Sequence, residues 1–426
     1  MRHAVALKVG GPYAYAKGAW GPFAGFIVGW SLWLAEWISL AVFPLAFTRY
    51  LMFFFPNMDF LTQTIVKGLF VAFLAVTNII GVRAAGKVND VLTLAKLAPL
   101  VFFVVAGLGW IILNPAATAA NFTPFEPFGF ASFGTAVVLI FWAYAGFEIS
   151  TIPADNVEEP SKTIPKAVTI GILVVTVFYL VTNIVLMGVR NYTVLATDTA
   201  PLAAASGAIL SSSNIAALAL FGGLLVGVGA LISVAGSDES GMIGTARLGY
   251  ALAADGLFPK VFAKIHRKFK TPYISVIIQS VTALAAAIVG NLNLLVSVSV
   301  FFLSVAYLAT CASVFPLRKK YPAPNFVSGK SKMVLPVLGI VFSAYLITQC
   351  TLTQIAIGVL LLLVGVPIYV KYSPKRKLTE IKQAFVSPER ILRRAYRQQH
   401  VFLAHVLYHI AEAYRRAVHK PKKQHP

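Results

Sequence analysis

Ten apolar runs, each close to the length of a membrane-crossing helix, occupy most of this 426-residue sequence. A helix rises about 1.5 Å per residue, so about 20 apolar residues cross the hydrocarbon core of a bilayer. A single run of this length can bond all its backbone groups inside lipid only as a helix. The sequence therefore predicts an all-α, polytopic membrane protein. The ten runs span residues 22–55, 64–82, 90–113, 131–153, 168–189, 215–244, 274–291, 294–317, 334–350 and 353–371.

Composition and charge placement favour a membrane protein over a nucleic-acid-binding one. Hydrophobic residues make up 58% of the chain and charged residues 12%, about half the charged share of a soluble protein. The net charge of +21 comes from lysines and arginines that concentrate in alternate connections and after residue 371. This asymmetry marks cytoplasmic connections. We therefore expect a plasma-membrane (inner-membrane) protein with both termini in the cytoplasm and no nucleic-acid partner.

Composition changes at residue 371. Residues 1–371 form the expected transmembrane domain, and residues 372–426 form a basic cytoplasmic tail. Ser387, Pro388 and Glu389 are a typical helix start, and apolar residues then recur at three- to four-residue steps. Such a basic amphipathic helix would lie on anionic lipids of the inner membrane surface. A solvated or docked helix is the alternative.

The apolar runs lack the residue types that most enzymes and metal sites need. All seven histidines lie outside the runs, and Cys311 and Cys350 form no Cys-x-x-Cys pattern. We therefore expect no enzyme activity, no metal ion and no cofactor.

One run carries a cluster of residues that is unusual in a lipid-facing helix. Gly146, Glu148, Ser150, Thr151 and Pro153 fall within eight residues. An ionisable group at that depth costs about 2.5–3.5 kcal/mol on insertion scales, so it indicates a functional site. A glycine there favours a broken helix of the kind that lines transport sites. The alternative is an ordinary membrane helix with one glutamate near its cytoplasmic end.

Other runs also contain ionisable residues. Lys96 lies about two turns inside its run, where a neutral or paired lysine would fit, as would one that extends to the inner surface. We expect Asp238 or Glu239 to face the protein interior and offset Lys96. Glu36 is a further buried charge, and the sequence identifies no partner for it.

A short motif resembles the sixth transmembrane helix of the amino acid–polyamine–organocation (APC) permeases. It consists of Phe-Trp-Ala-Tyr-Ala-Gly-Phe-Glu at 141–148, then Glu159-Pro160 and Ile164-Pro165. Three further stretches resemble motifs of that superfamily in the same order, at 10–22, 81–97 and 247–259.

The resemblance implies the leucine-transporter fold, in which two inverted five-helix repeats precede two further helices. Residues 22–317 would correspond to family helices 3–10, and residues 334–371 to helices 11 and 12. The family's first two helices would precede Gly10, where this chain has nine residues. About ten transmembrane helices would therefore remain of the usual twelve.

The resemblance also implies a function. The protein would be a secondary active transporter of amino acids or related amines, coupled to protons or working by exchange. Substrate would bind at the broken helix against Trp142, Ala145, Gly146 and Phe147. Glu148 would be a gating or coupling acid.

A second group of residues would carry the coupling. Lys96 would stand where sodium-coupled relatives hold a sodium ion, and Ser237 would flank that position. This favours protons as the coupling ion. Asp238 and Glu239 complete the expected group.

The missing helices leave a second function open. The first of them carries the other half of the family's substrate site. The alternative is therefore a non-transporting permease remnant or nutrient sensor. In that case the reconstituted chain would show no saturable amino acid uptake.

Overall fold

The structure, a computed structural model, describes residues 11–81, 85–124, 126, 129–148, 157–211, 216–320 and 331–372. The described residues are mainly helical and contain no β-strand. The helices are α1 Pro12–Trp20, α2 Pro22–Leu51, α3 Phe60–Ile80, α4 Ala85–Leu113, α5 Pro115–Asn121, α6 Phe133–Trp142, α7 Pro160–Val189, α8 Tyr192–Leu195, α9 Pro201–Ser211, α10 Ala216–Ala254, α11 Tyr273–Val289, α12 Leu292–Lys320, α13 Ser331–Gln349 and α14 Leu352–Tyr372.

Every apolar run of the sequence contains one of these helices. Among the described residues, seven helices are long and apolar enough to cross a membrane: α2, α3, α4, α7, α10, α12 and α14. Shorter apolar helices, α6, α11 and α13, occupy the other three runs. The prediction of an all-α, polytopic membrane protein is confirmed. The tail helix predicted after Ser387 lies outside the described residues.

Helix α2 lies at the centre of the bundle. In its most apolar 18-residue window 83% of the residues are buried, compared with 6% in the window of α7. Trp30, Trp33 and Trp37 share one face of α2, with successive ring centroids 5.4 and 6.1 Å apart. Trp37 Nε1 donates to Thr282 Oγ1 of α11 at 2.7 Å. Since α2 also packs on α10 and α12, it is the element that positions the residues around it.

A polar cluster ties α1 to the end of α10. The Tyr13 hydroxyl donates to the Asp255 carboxylate, and Lys17 forms an ion pair with the same carboxylate. Lys17 Nζ also donates to Tyr13 Oη at 2.8 Å. Burial and the neighbouring Asp255 raise the pKa of Tyr13, so its hydroxyl remains a donor. The motif at 10–22 is thus in direct contact with the motif at 247–259.

Candidate functional site

Helix α6 ends at Trp142, before the acidic residue of the motif. The next three amides, of Ala143, Tyr144 and Ala145, donate to carbonyls three residues earlier at 3.0 Å. Gly146 follows with a φ of +109°, which L side chains rarely adopt. Glycine therefore lets the chain leave the helical path at this point.

Trp142 faces the centre of the bundle. Its Nε1 donates to Ser39 Oγ of α2 at 2.9 Å, and Ser39 Oγ lies 3.0 Å from Ser299 Oγ of α12. The indole ring also packs on Phe43, with centroids 5.4 Å apart. Trp142 thus joins the end of α6 to two other helices.

Side chains from three elements meet at Glu148. The glutamate is 2% exposed, and its Oε2 accepts from the Gly146 amide at 3.0 Å. The carboxyl group of Glu36, 6% exposed, lies close to that of Glu148, and the Tyr307 hydroxyl faces the same pair. Two buried carboxyl groups of like charge oppose each other's ionisation when they lie together. Glu36 and Glu148 thus form a buried acid pair beside the turn.

The other side of the turn borders a cavity of about 420 Å³ between residues 143–147 and α7. Ala145 and Phe147 line this cavity, whereas Trp142 and Gly146 are not among the residues that line it. The Tyr179 hydroxyl donates to the Ala143 carbonyl at 3.1 Å across the cavity wall. Of the four substrate-binding residues predicted from the sequence, two thus border this open space.

The residues predicted to carry the coupling do not all face the same place. Lys96 Nζ packs against Gly236, close to where a Cβ would be, and Glu239 is its charged neighbour. Ser237, next in the chain, is exposed. Asp238 is fully buried, and neither of its carboxylate oxygens has a hydrogen-bond partner among the described residues. Glu239 is therefore the neighbour of Lys96, while Asp238 faces the interior.

Sequence reasoning missed two members of the acid cluster. It noted Glu36 as a buried charge without a partner, and it did not select Tyr307. Both lie on apolar runs remote in sequence from Glu148. The available signal was an unexplained carboxyl group on each of two central runs, which suggests a pair.

Comparison with known proteins shows the family to which this helical bundle belongs. The family model described as amino acid permease matches residues 6–371. The chain belongs to that family. The resemblance to APC permeases is thereby confirmed, and the permease is an integral, multi-pass membrane protein.

Three relatives illustrate the range of the family. The serine/threonine exchanger SteT of Bacillus subtilis (strain 168) is 26% identical over 389 residues, which is 87% of this chain and 83% of the relative. The branched-chain amino acid permease BcaP of the same organism is 26% identical over 385 residues, 86% and 80% of the two chains. An arginine/agmatine antiporter of Chlamydia pneumoniae is 28% identical over 387 residues, 86% and 77%.

These relatives are transporters rather than enzymes. Their names cover hydroxylated, branched-chain and cationic substrates at similar identity to this permease. Family membership therefore supports amino acid transport in general, and these names do not point to one substrate class for this permease.

Proposed function

We propose that this permease is a secondary active transporter that moves an amino acid or related amine across the plasma membrane, driven by protons. The observation that carries proton coupling is the burial of two neighbouring carboxyl groups, those of Glu36 and Glu148, which we propose share a proton. Buried acids are expensive inside a membrane bundle, and such residues form proton relays in transporters. This pair adjoins the broken helix, where we propose that substrate binds.

The Gly146 amide links the proton to the substrate. It donates to Glu148 Oε2, so the charge on Glu148 controls how strongly that amide is held. A proton on Glu148 weakens the bond and frees the amide to bind a substrate carboxylate. The carbonyls at the end of α6 form the negative end of a helix dipole, which suits the substrate amine.

The Lys96 group supports protons over sodium. The Lys96 ammonium lies against Gly236, next to Ser237, with Glu239 as its charged neighbour. When charged, the Lys96 side chain repels a sodium ion from this position, and its bulk fills the same space. We propose that Lys96, Ser237, Asp238 and Glu239 form a coupling region in which a lysine replaces a bound cation.

Charge placement supports an orientation with both termini in the cytoplasm. The connection 255–272 carries five lysines and arginines, whereas 191–214 carries none. We propose residues 1–371 as the transmembrane domain and 372–426 as a basic tail that contacts anionic lipids.

Uptake by the full chain in liposomes tests this function. We expect saturable amino acid uptake with a proton gradient and none with a sodium gradient. Glu148→Gln and Glu36→Gln should each reduce proton-driven accumulation to the level of empty liposomes, because each removes a carboxyl group from the pair. Glu158→Gln, at an exposed glutamate, is the matched control.

Three results would decide against the proposal. Uptake that requires sodium would contradict the role of Lys96. Full accumulation by both glutamine variants would contradict the role of the acid pair. Amino acid binding without uptake would favour the alternative, a nutrient sensor or a non-transporting remnant.

A further inference from the structure

The cavity beside the broken helix has an uncharged lining. Its volume of about 420 Å³ lies within the range of roughly 300–1,000 Å³ for small-molecule sites. The described residues that line it are aliphatic or aromatic, and none of them is an acid, a lysine, an arginine or a histidine. Tyr144 and Tyr179 supply the hydroxyl groups of that lining, with ring centroids 5.3 Å apart.

This lining discriminates between substrate side chains by charge. A charged group moved from water into an apolar site without a partner loses its hydration and gains nothing in return. Glu148 does not compensate, because its carboxyl group lies beside Glu36 and is not part of the cavity wall. A hydrophobic side chain instead gains free energy on entering the cavity, since burial removes its apolar surface from water.

One backbone polar group of the turn lies at the edge of the same cavity. The carbonyl of the cavity-lining Ala143 accepts from the Tyr179 hydroxyl at 3.1 Å, whereas the Gly146 amide does not line the cavity and donates to Glu148. An amino acid whose amine meets the Ala143 carbonyl directs its side chain toward α7.

We infer that this cavity holds the side chain of a neutral, hydrophobic amino acid, so that branched-chain or aromatic amino acids are the substrate class. The inference rests on the proposed function, since it concerns the same binding site. It excludes cationic, acidic and polyamine substrates.

Gly171 of α7 offers a direct test of whether substrate binding needs the open space of the cavity. It lines the cavity, and a Cβ built there meets no atom within 4 Å. Gly171→Ala therefore adds a methyl group to the cavity without a close contact at Cβ, and Gly171→Leu extends further into the same space. Gly68 of α3 also has open space around a built Cβ and does not line the cavity, so Gly68→Leu is the matched control.

The experiment measures tritiated leucine binding to the purified full chain in nanodiscs, with competition by a panel of amino acids. We expect isoleucine, valine and phenylalanine to displace leucine, and arginine, lysine, glutamate and agmatine to fail. Gly171→Leu should weaken leucine binding by about tenfold or more, Gly171→Ala should weaken it less, and Gly68→Leu should leave it unchanged. Thermal unfolding of each variant confirms that it is folded.

The outcomes separate the two proposals. Displacement by charged amino acids as strong as by isoleucine, or full leucine binding by folded Gly171→Ala and Gly171→Leu, overturns the substrate class and leaves the transporter intact. Full binding by the variants would also show that the cavity holds something else, such as a lipid chain. If the folded chain neither binds nor transports any amino acid of the panel, the proposed function itself fails.

Discussion

The two sides of the turn after α6 differ in almost every physical respect. On one side Trp142 donates to Ser39 of α2, and Glu148 lies beside Glu36 of α2 and faces Tyr307 of α12. On the other side Ala145 and Phe147 border an open, uncharged cavity against α7, a helix that is exposed over most of its length. One short segment thus presents a fixed polar face and an open apolar face.

This difference suggests that the two sides of the turn have separate roles. A proton site needs fixed partners, because its energetics depend on distances and on the exclusion of water. A substrate site needs space and a surface that accepts varied shapes. Gly146 lies between the two faces, and its amide is bonded to the acid side. Under the proposed function, a change in proton occupancy at Glu148 would reach the proposed substrate side through this one backbone group.

The largest effect should come from the residue between the faces. Gly146→Ala forces a side chain into a backbone conformation with a φ of +109°, which costs about 1–3 kcal/mol. We expect uptake to fall by about 10- to 100-fold, since 1.4 kcal/mol corresponds to a factor of about ten. The measurement is initial uptake rate in liposomes at matched protein amount.

Gly109→Ala is the control for this variant, because a Cβ at Gly109 in α4 also meets open space. Wild-type transport by Gly146→Ala would show that the turn needs no glycine, and the link between the faces would be lost.

An intermediate effect, on stability, should come from the fixed face. Trp142→Phe removes the bond to Ser39 and keeps an aromatic ring beside Phe43. We expect a loss of about 1 kcal/mol of stability, typical of one hydrogen bond, with little change in leucine binding. Thermal unfolding and binding of Trp142→Phe, Ser39→Ala and the double variant provide the measurement.

A double-variant loss equal to the sum of the two single losses would show that the bond contributes nothing. A loss of leucine binding at unchanged stability would restore Trp142 as a substrate residue, as the sequence predicted.

The smallest effect should come from the open face. Tyr179→Phe removes a single hydroxyl group that orients the Ala143 carbonyl in an exposed setting. We expect leucine binding to weaken by a factor of about two to three, or roughly 0.5 kcal/mol, with no change in stability. Tyr345→Phe in α13, away from the cavity, is the control. A tenfold loss in Tyr179→Phe would show that the hydroxyl binds substrate directly.

The sequence predicted the helices well because membrane insertion depends on local properties. Each of the ten apolar runs contains a helix, since a run of that composition has no other stable form in lipid. The end of α6 near Gly146 was also predictable, because glycine and a carboxylate in one apolar run are locally incompatible with a plain helix.

Contacts between remote residues were beyond local reasoning. The pairing of Glu36 with Glu148 depends on how α2 crosses the turn after α6, which no spacing within either run encodes. The same holds for the orientation of Trp142 toward Ser39 and for the choice of Glu239 over Asp238 as the neighbour of Lys96. Each of these depends on the rotation of one helix against another.

Infrared difference spectroscopy of the Glu36–Glu148 pair tests the central claim most directly. The permease in nanodiscs at neutral pH should show a carboxylic acid carbonyl band that disappears in both Glu36→Gln and Glu148→Gln, because the two groups share a proton. Leucine binding should shift that band in the wild type, since the Gly146 amide bonds one of the two carboxyl groups. A spectrum unchanged by either substitution would show that both glutamates are ionised, and the proposed proton site would be wrong.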